Sequence, residues 1–172
     1  MPIQRLNHAV LYVRDVARSV AFYTEALGFR VVMEMPGQAA FLQAAGSTND
    51  HDLGLFAIGD RAGASTAGRS TVGLYHLAWE VDTLAELQRI SGVLTERGAL
   101  VGASDHGSTK ALYAQDPDGL EFEVSWLVPA DLLDEATLAG RTRIRPLDIA
   151  KEKARYGATT RGGVGVSTPA TV

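Results

Sequence analysis

Cysteine is absent from all 172 residues, so no disulfide framework can staple the fold and no thiolate can serve as nucleophile or metal ligand. Nothing in the chain therefore asks for an oxidising compartment. Long apolar runs are missing as well, and no uninterrupted stretch approaches the roughly 20 residues that cross a bilayer. The opening Met1-Pro2-Ile3-Gln4-Arg5 leads straight into a strand-like stretch, without the charged and apolar segments of a secretory signal. A cytoplasmic protein with no membrane partner is expected. Positive charge is also scarce: 16 Lys and Arg against 20 Asp and Glu leave a formal net charge of −4. A phosphate backbone is held by a positive footprint, so nucleic acid is not the expected partner. The small, glycine-rich residues 59–73 contain no lysine and no phosphate-loop spacing, which makes them a connector rather than a nucleotide cradle.

What is present is enough apolar material, 46% of the chain, for a real core in one medium domain or two half-domains. Residues 6–13 are rich in β-formers and end at Arg14-Asp15, where Asp15 can cap a helix. That helix, over 16–27, places Val16, Val20, Tyr23 and Leu27 on one stripe and stops at Gly28. Residues 29–34, 38–44 and 51–58 then read as three strands. After the connector the order returns: a strand over 74–81, a cap at Asp82, a helix over 83–97 ending at Gly98, and strands over 99–103, 109–114 and 120–126. The chain is thus an internal repeat of two βαβββ modules, α+β in class, with Leu6-x-His8 matching Leu74-x-His76 and Gly28 matching Gly98. Module one spans 1–58, the linker 59–73 and module two 74–128, together one domain. Neither half can bury its sheet alone, so the halves are expected to lie side by side and bring His8 and His76 near one point. Residues 129–156 read as a C-terminal helical arm, rich in Arg and Lys, and 157–172 have the composition of a disordered tail.

Chemistry concentrates in the second module. Asp116-Pro117-Asp118-Gly119 is a turn signal, since Pro fixes φ at its second position and Gly accepts a backbone state that other residues avoid. Downstream, Leu120, Phe122 and Val124 alternate with Glu121, Glu123 and Ser125; upstream, Thr109, Ala111 and Tyr113 share a face, with His106 in the loop before them. A hairpin closed at this turn can bring Tyr113 and Glu123 together across the pair, although a solvated hairpin would show the same pattern. A lone histidine in an apolar strand is more often a hydrogen-bonded core residue than a ligand. Two at matched repeat positions, with a carboxylate on the closing strand, form instead the donor set that suits a metal with open positions, non-haem Fe(II) among them. Mn(II), Zn(II) and Ni(II) suit the same donors.

These features together resemble the vicinal oxygen chelate superfamily, which includes glyoxalase I, bleomycin- and fosfomycin-resistance proteins and extradiol dioxygenases. The resemblance covers residues 6–126 and implies an eight-stranded, incompletely closed barrel, with the arm added at its C-terminal end. Within the superfamily, the run from Asn49 through Asp50 and His51 to Phe56, the strand His76-Leu77-Ala78-Trp79-Glu80-Val81 and the series Asp105-His106-Gly107, Tyr113, Asp116-Pro117-Asp118-Gly119 and Glu123 look like type I extradiol catechol dioxygenases. The resemblance implies metal ligands at His8, His76 and Glu123, the last preferred over Glu121 by its spacing from the turn. It also implies a proton-moving role for His51 and hydrogen bonds from His106 and Tyr113 to a catecholate. The implied activity is an Fe(II)-dependent, ring-cleaving dioxygenase using a catechol and O2, with Mn(II) or another divalent metal as substitutes. Because the chain carries one such domain where many relatives carry two, a homodimer or higher homo-oligomer, or residues 130–156 acting as a lid, is expected to complete the pocket. Two other readings stand beside it: a glyoxalase-like lyase or isomerase, which needs a further carboxylate on the fourth strand, where Leu53, Gly54, Leu55 and Phe56 offer none, and a metal-free drug-binding protein.

Overall fold

Each repeat folds around a helix whose first turn is capped by a side chain and whose apolar stripe lies on its own sheet. The computed structural model describes residues 2–3, 5–68 and 70–163. The chain divides into two compact units, Met1–Thr66 with Asp116–Gly119, and Ala67–Gln115 with Leu120–Val172.

In the first unit Asp15 accepts a hydrogen bond from the backbone N–H of Arg18 (3.1 Å) and opens α1, Val16–Leu27. Gly28, at φ 74°, closes it in the left-handed state that the sequence demanded. Val16, Ser19, Phe22, Tyr23 and Ala26 are its buried residues, so the stripe turns slightly from the expected one and leaves Val20 and Leu27 half-buried at its margin. Strands β1 (Ala9–Val13), β2 (Arg30–Met35), β3 (Ala39–Gln43) and β4 (Leu53–Ala57) form a sheet in the order β1-β4-β3-β2, with β1 and β4 parallel. Leu53 and Leu55 of β4 and Ala40 and Leu42 of β3 are fully buried. The turn Asp116–Gly119 belongs to this unit and is clamped there: Asp118 accepts from Arg14 Nη1 (2.8 Å) and Arg18 Nη2 (2.7 Å), and Tyr23 donates to Asp116 (3.2 Å). Burial, reinforced by Asp116, holds the Tyr23 phenol well above its ordinary range.

In the second unit α2 (Leu84–Glu96) is capped by Thr83, whose hydroxyl accepts from Glu86 N–H (3.2 Å), and not by Asp82 as expected. The carbonyl of Asp82 is occupied elsewhere, accepting from Trp126 Nε1 (3.2 Å) and Gly162 N–H (2.9 Å). Leu84, Leu87, Ile90 and Leu94 bury one helix face. Strands β5 (Leu77–Glu80), β6 (Leu100–Asp105), β7 (Thr109–Gln115) and β8 (Glu121–Leu127) repeat the first sheet's topology, in the order β5-β8-β7-β6. A ninth strand that sequence reading did not find, β9 (Arg145–Pro146), adds a fifth position beside β6 through Ser104 and Asp105.

The C-terminal segment is part of this unit. A 3-10 turn at Ala130–Leu132, α3 (Glu135–Ala139), a second 3-10 turn at Gly140–Thr142 and β9 lead to α4 (Ile149–Tyr156), which lies against α2. The Tyr156 ring rests 5.6 Å from Trp126, and Glu152 reaches Lys110. Lys110, Leu112, Phe122, Val124 and Trp126 point to the helix-covered face, whereas strand alternation sends Tyr113 and Glu123 to the other. The helix expected as part of a lid thus covers the reverse of the face that carries those two residues. Of the residues expected to form a disordered tail, 157–163 hydrogen-bond back through Ala158, Thr160 and Gly162, and 164–172 lie outside the described residues. Among the described residues no helix is long and apolar enough to cross a membrane.

Candidate metal and substrate site

Both repeat histidines stand one residue ahead of their strands, His8 before Ala9 and His76 before Leu77, and not within them as the β-forming composition suggested. The ladder of β1 starts at Ala9 because its partner β4 starts at Leu53. Upstream of Leu53, the Asp52 carboxylate accepts from Ala44 N–H (2.9 Å), Ser47 Oγ (2.8 Å) and Asn49 Nδ2 (2.9 Å), and so holds that stretch in a turn.

In the second unit four of the predicted residues form a continuous row. His76 Nε2 lies 3.4 Å from Glu123 Oε2. Glu123 stands opposite Tyr113 across the β7–β8 pair, and the Tyr113 hydroxyl lies 2.9 Å from His106 Nε2. The His76 ring is further flanked by Tyr75, at 4.7 Å between centroids, and by Tyr113 at 5.9 Å. Its Nδ1 is buried and meets no hydrogen-bond partner among the described residues, so ring contacts and Glu123 orient it. Burial, then the charge of Glu123 and the hydrogen bond Tyr113 donates to it, with smaller contributions from Tyr75 and Glu121, push the Tyr113 phenol up to about 12. The hydroxyl keeps its proton throughout the neutral range and remains a donor.

Glu121 shares the strand face with Glu123 but stands opposite Gln115, at the far end of the ladder from His106. The pairing register thus sets Glu123, and not Glu121, opposite Tyr113.

In the first unit His8 and His51 lie ring to ring, 4.6 Å between centroids, and Phe41 meets His51 edge-on at 5.0 Å. His51 Nδ1 is 2.8 Å from Asp50 Oδ2. A carboxylate only accepts, so Nδ1 carries the hydrogen and Nε2 keeps a lone pair. His8 Nδ1 is placed in the same way, 2.8 Å from Asn7 Oδ1. Sequence reading missed these two orienting residues, Asn7 and Asp50. Their signal is a polar acceptor immediately before each histidine, which strand alternation cannot distinguish from an ordinary surface residue.

Among the described residues no cluster of three or more His, Asp or Glu side chains is gathered for a metal. The donors present nevertheless fit one. Two ligands about 2.1 Å from an ion lie about 3.0 to 3.4 Å apart at right-angle to tetrahedral geometry, which matches the His76–Glu123 separation. Imidazoles whose Nδ1–H is held by a neighbouring oxygen, as in His8 and His51, present the Nε2 lone pair that coordination requires.

Residues 5–124 match the family model of the Glyoxalase/Bleomycin resistance protein/Dioxygenase superfamily. The chain is 32% identical to catechol-2,3-dioxygenase of Bacillus subtilis (strain 168) over 120 residues, 69% of this chain and 40% of that enzyme. It therefore spans well under half of that relative's length. It is 30% identical to lactoylglutathione lyase of Salmonella typhimurium over 127 residues, 70% of this chain and 90% of that enzyme. A crystal structure of a glyoxylase/bleomycin resistance protein/dioxygenase domain from Frankia superposes with a TM-score of 0.61 at 23% identity, covering 72% of this chain and 92% of that domain, and shows a shared fold.

Proposed function

Because this chain belongs to the Glyoxalase/Bleomycin resistance protein/Dioxygenase superfamily, we propose that it is a metal-dependent extradiol dioxygenase, opening the ring of a catechol with both atoms of O2. The observation that carries the reading is the row His76, Glu123, Tyr113, His106, in which a nitrogen–carboxylate pair at ligand spacing adjoins a protonated phenol and an imidazole. Identity to a catechol dioxygenase supports it.

In this reading His8, His76 and Glu123 hold the metal, Fe(II) first and Mn(II) as substitute. The metal would supply Lewis acidity to the two catechol oxygens and a path for electrons from substrate to O2. The remaining work falls to the chain's own side chains. Tyr113, protonated to about 12, donates to one catecholate oxygen, and His106, at 2.9 Å from its hydroxyl, fixes the direction of that donation. His51 is the proton carrier: with Nδ1–H given to Asp50, its Nε2 can take the catechol proton and return it to the developing oxygen anion. Phe41 against the His51 ring supplies an apolar wall.

A lyase reading is favoured by one observation, the match to nine-tenths of a lactoylglutathione lyase. Strand β4, Leu53–Ala57, carries no acidic residue to serve as the further ligand that such a site needs. The two readings separate when the protein, loaded anaerobically with Fe(II), is assayed in parallel with a catechol panel and with the glutathione hemithioacetal of methylglyoxal. A yellow ring-opened product from a catechol supports the dioxygenase. Turnover of the hemithioacetal alone replaces it with the lyase.

A further inference from the structure

The extension after β8 does more than finish the core. Lys110 is 1% exposed, and its ammonium lies 2.6 Å from Asp105 Oδ1 and 2.9 Å from Glu152 Oε2. Asp105 Oδ1 also accepts from Gly107 N–H (2.8 Å), and Oδ2 lies 3.3 Å from Arg145 Nη2. Lys110, Asp105 and Glu152 are thus buried together, and the half-exposed Arg145 adds a second cation at their edge. Asp105 and Lys110 face each other as the last pair of the β6–β7 ladder, and His106 N–H donates to Thr109 O (2.9 Å) to close the turn between them. His106 is the first residue of that turn. Below it, Gly107 at φ 75° lies so close to the extension that a Cβ would stand 2.8 Å from the Gly140 carbonyl carbon. Two residues of the extension, Glu152 on α4 and Arg145 on β9, therefore complete the charge cluster under the turn that carries His106.

Glu152 Oε2 meets Lys110 as an ion pair without a directed hydrogen bond, whereas Lys110 and Gly107 N–H each hydrogen-bond Asp105. Ion clusters of this kind seldom stabilise a fold more than apolar side chains of equal volume would; here the charge of Glu152 holds Lys110 in place, and the bonds to Asp105 fix direction. We propose that Glu152 is a positioning residue: acting through Lys110 and Asp105, it fixes the turn that aims His106 at Tyr113, so that the C-terminal extension sets the geometry of the substrate-binding pair. The catalytic consequence rests on the dioxygenase reading; the geometric claim does not.

The test uses the full chain carrying Glu152→Gln, Glu152→Asp, or Lys110→Met together with Glu152→Leu, and follows the His106 ring nitrogens by NMR alongside thermal melting and catechol turnover. Expected in Glu152→Gln is a His106 imidazole that loses its single tautomeric signature, with kcat/KM lower by roughly 10- to 100-fold at unchanged metal content. Glu152→Asp recovers part of both. The apolar double variant leaves Asp105 with Arg145 and Gly107 N–H alone and melts below the wild type, with disordered His106 signals in its folded state. Glu152→Gln, which melts near the wild-type temperature yet shows the same disordered His106 signals, gives the separation that a purely structural role would not. Wild-type His106 signals in the folded double variant would overturn the proposal. A wild-type protein inert toward every catechol would remove the dioxygenase reading alone, and the His106 signals would still decide this one.

Discussion

Tyr113 and Glu123 stand directly opposite each other on adjacent antiparallel strands, and the Tyr113 hydroxyl lies 2.9 Å from His106 Nε2. One side chain thereby joins the proposed metal-ligand end of the row to its substrate-binding end. Tyr113→Phe keeps the ring and removes this link. The variant is expected to lose about 1 kcal/mol of stability by urea unfolding and roughly 100-fold in kcat/KM toward a catechol, with metal content unchanged.

Metal retention should divide the two acids of β8. Glu123→Gln or His76→Ala is expected to weaken Fe(II) or Mn(II) binding by on the order of 100-fold or more, since even loss of an outer partner costs 10- to 100-fold. Glu121→Gln, on the same face but opposite Gln115, should bind as the wild type does. Calorimetric titration of the metal-free protein with Mn(II) measures the difference.

Acid stability should report Asp105. Burial alone would raise its pKa, but the hydrogen bond from Lys110, that from Gly107 N–H and the charges of Lys110 and Arg145 outweigh it and hold the carboxyl below its ordinary range. A depressed folded pKa contributes stability that is fully present above the unfolded value of about 3.9 and is lost as pH falls toward the folded one. Urea midpoints of the wild type should therefore fall below about pH 4, and Asp105→Asn should be less stable at neutral pH and flatter through that acid window.

The turn at Asp116–Gly119 should prove structural. Asp118 is 6% exposed at its side chain and takes three hydrogen bonds, from Arg14 N–H, Arg14 Nη1 and Arg18 Nη2. Asp118→Ala is expected to cost about 2 to 3 kcal/mol in denaturant unfolding, because it strands a half-buried guanidinium. Mn(II) affinity measured in the folded protein should stay near the wild-type value.

Most of the scaffold was legible because its signals are local. Asp15, Gly28 and Gly98 punctuate helices by capping and by left-handed backbone, and the hairpin register follows from Pro117 and Gly119 in the turn. The Tyr113–Glu123 pairing came from the same period-two alternation. What was not legible depends on partners far apart in sequence. Thr83 displaces Asp82 as cap because the Asp82 carbonyl is taken by Trp126 and Gly162. Two residues, Arg145-Pro146, carry no periodicity, so β9 appears once Asp105 offers a ladder edge. Alternation puts Lys110 on the apolar face, but no local spacing announces that Asp105 and Glu152 neutralise it there. The orienting roles of Asn7 and Asp50 likewise emerge from ring placement and not from pattern.

The central claim is tested most directly by a single anaerobic loading with Fe(II), addition of a catechol, and exposure to isotopically labelled dioxygen with consumption and product mass followed together. The account predicts one O2 consumed per catechol and a ring-opened acid carrying both labelled atoms before solvent exchange. Stoichiometric metal with an intact ring, or oxidation of the catechol without incorporated label, would contradict it.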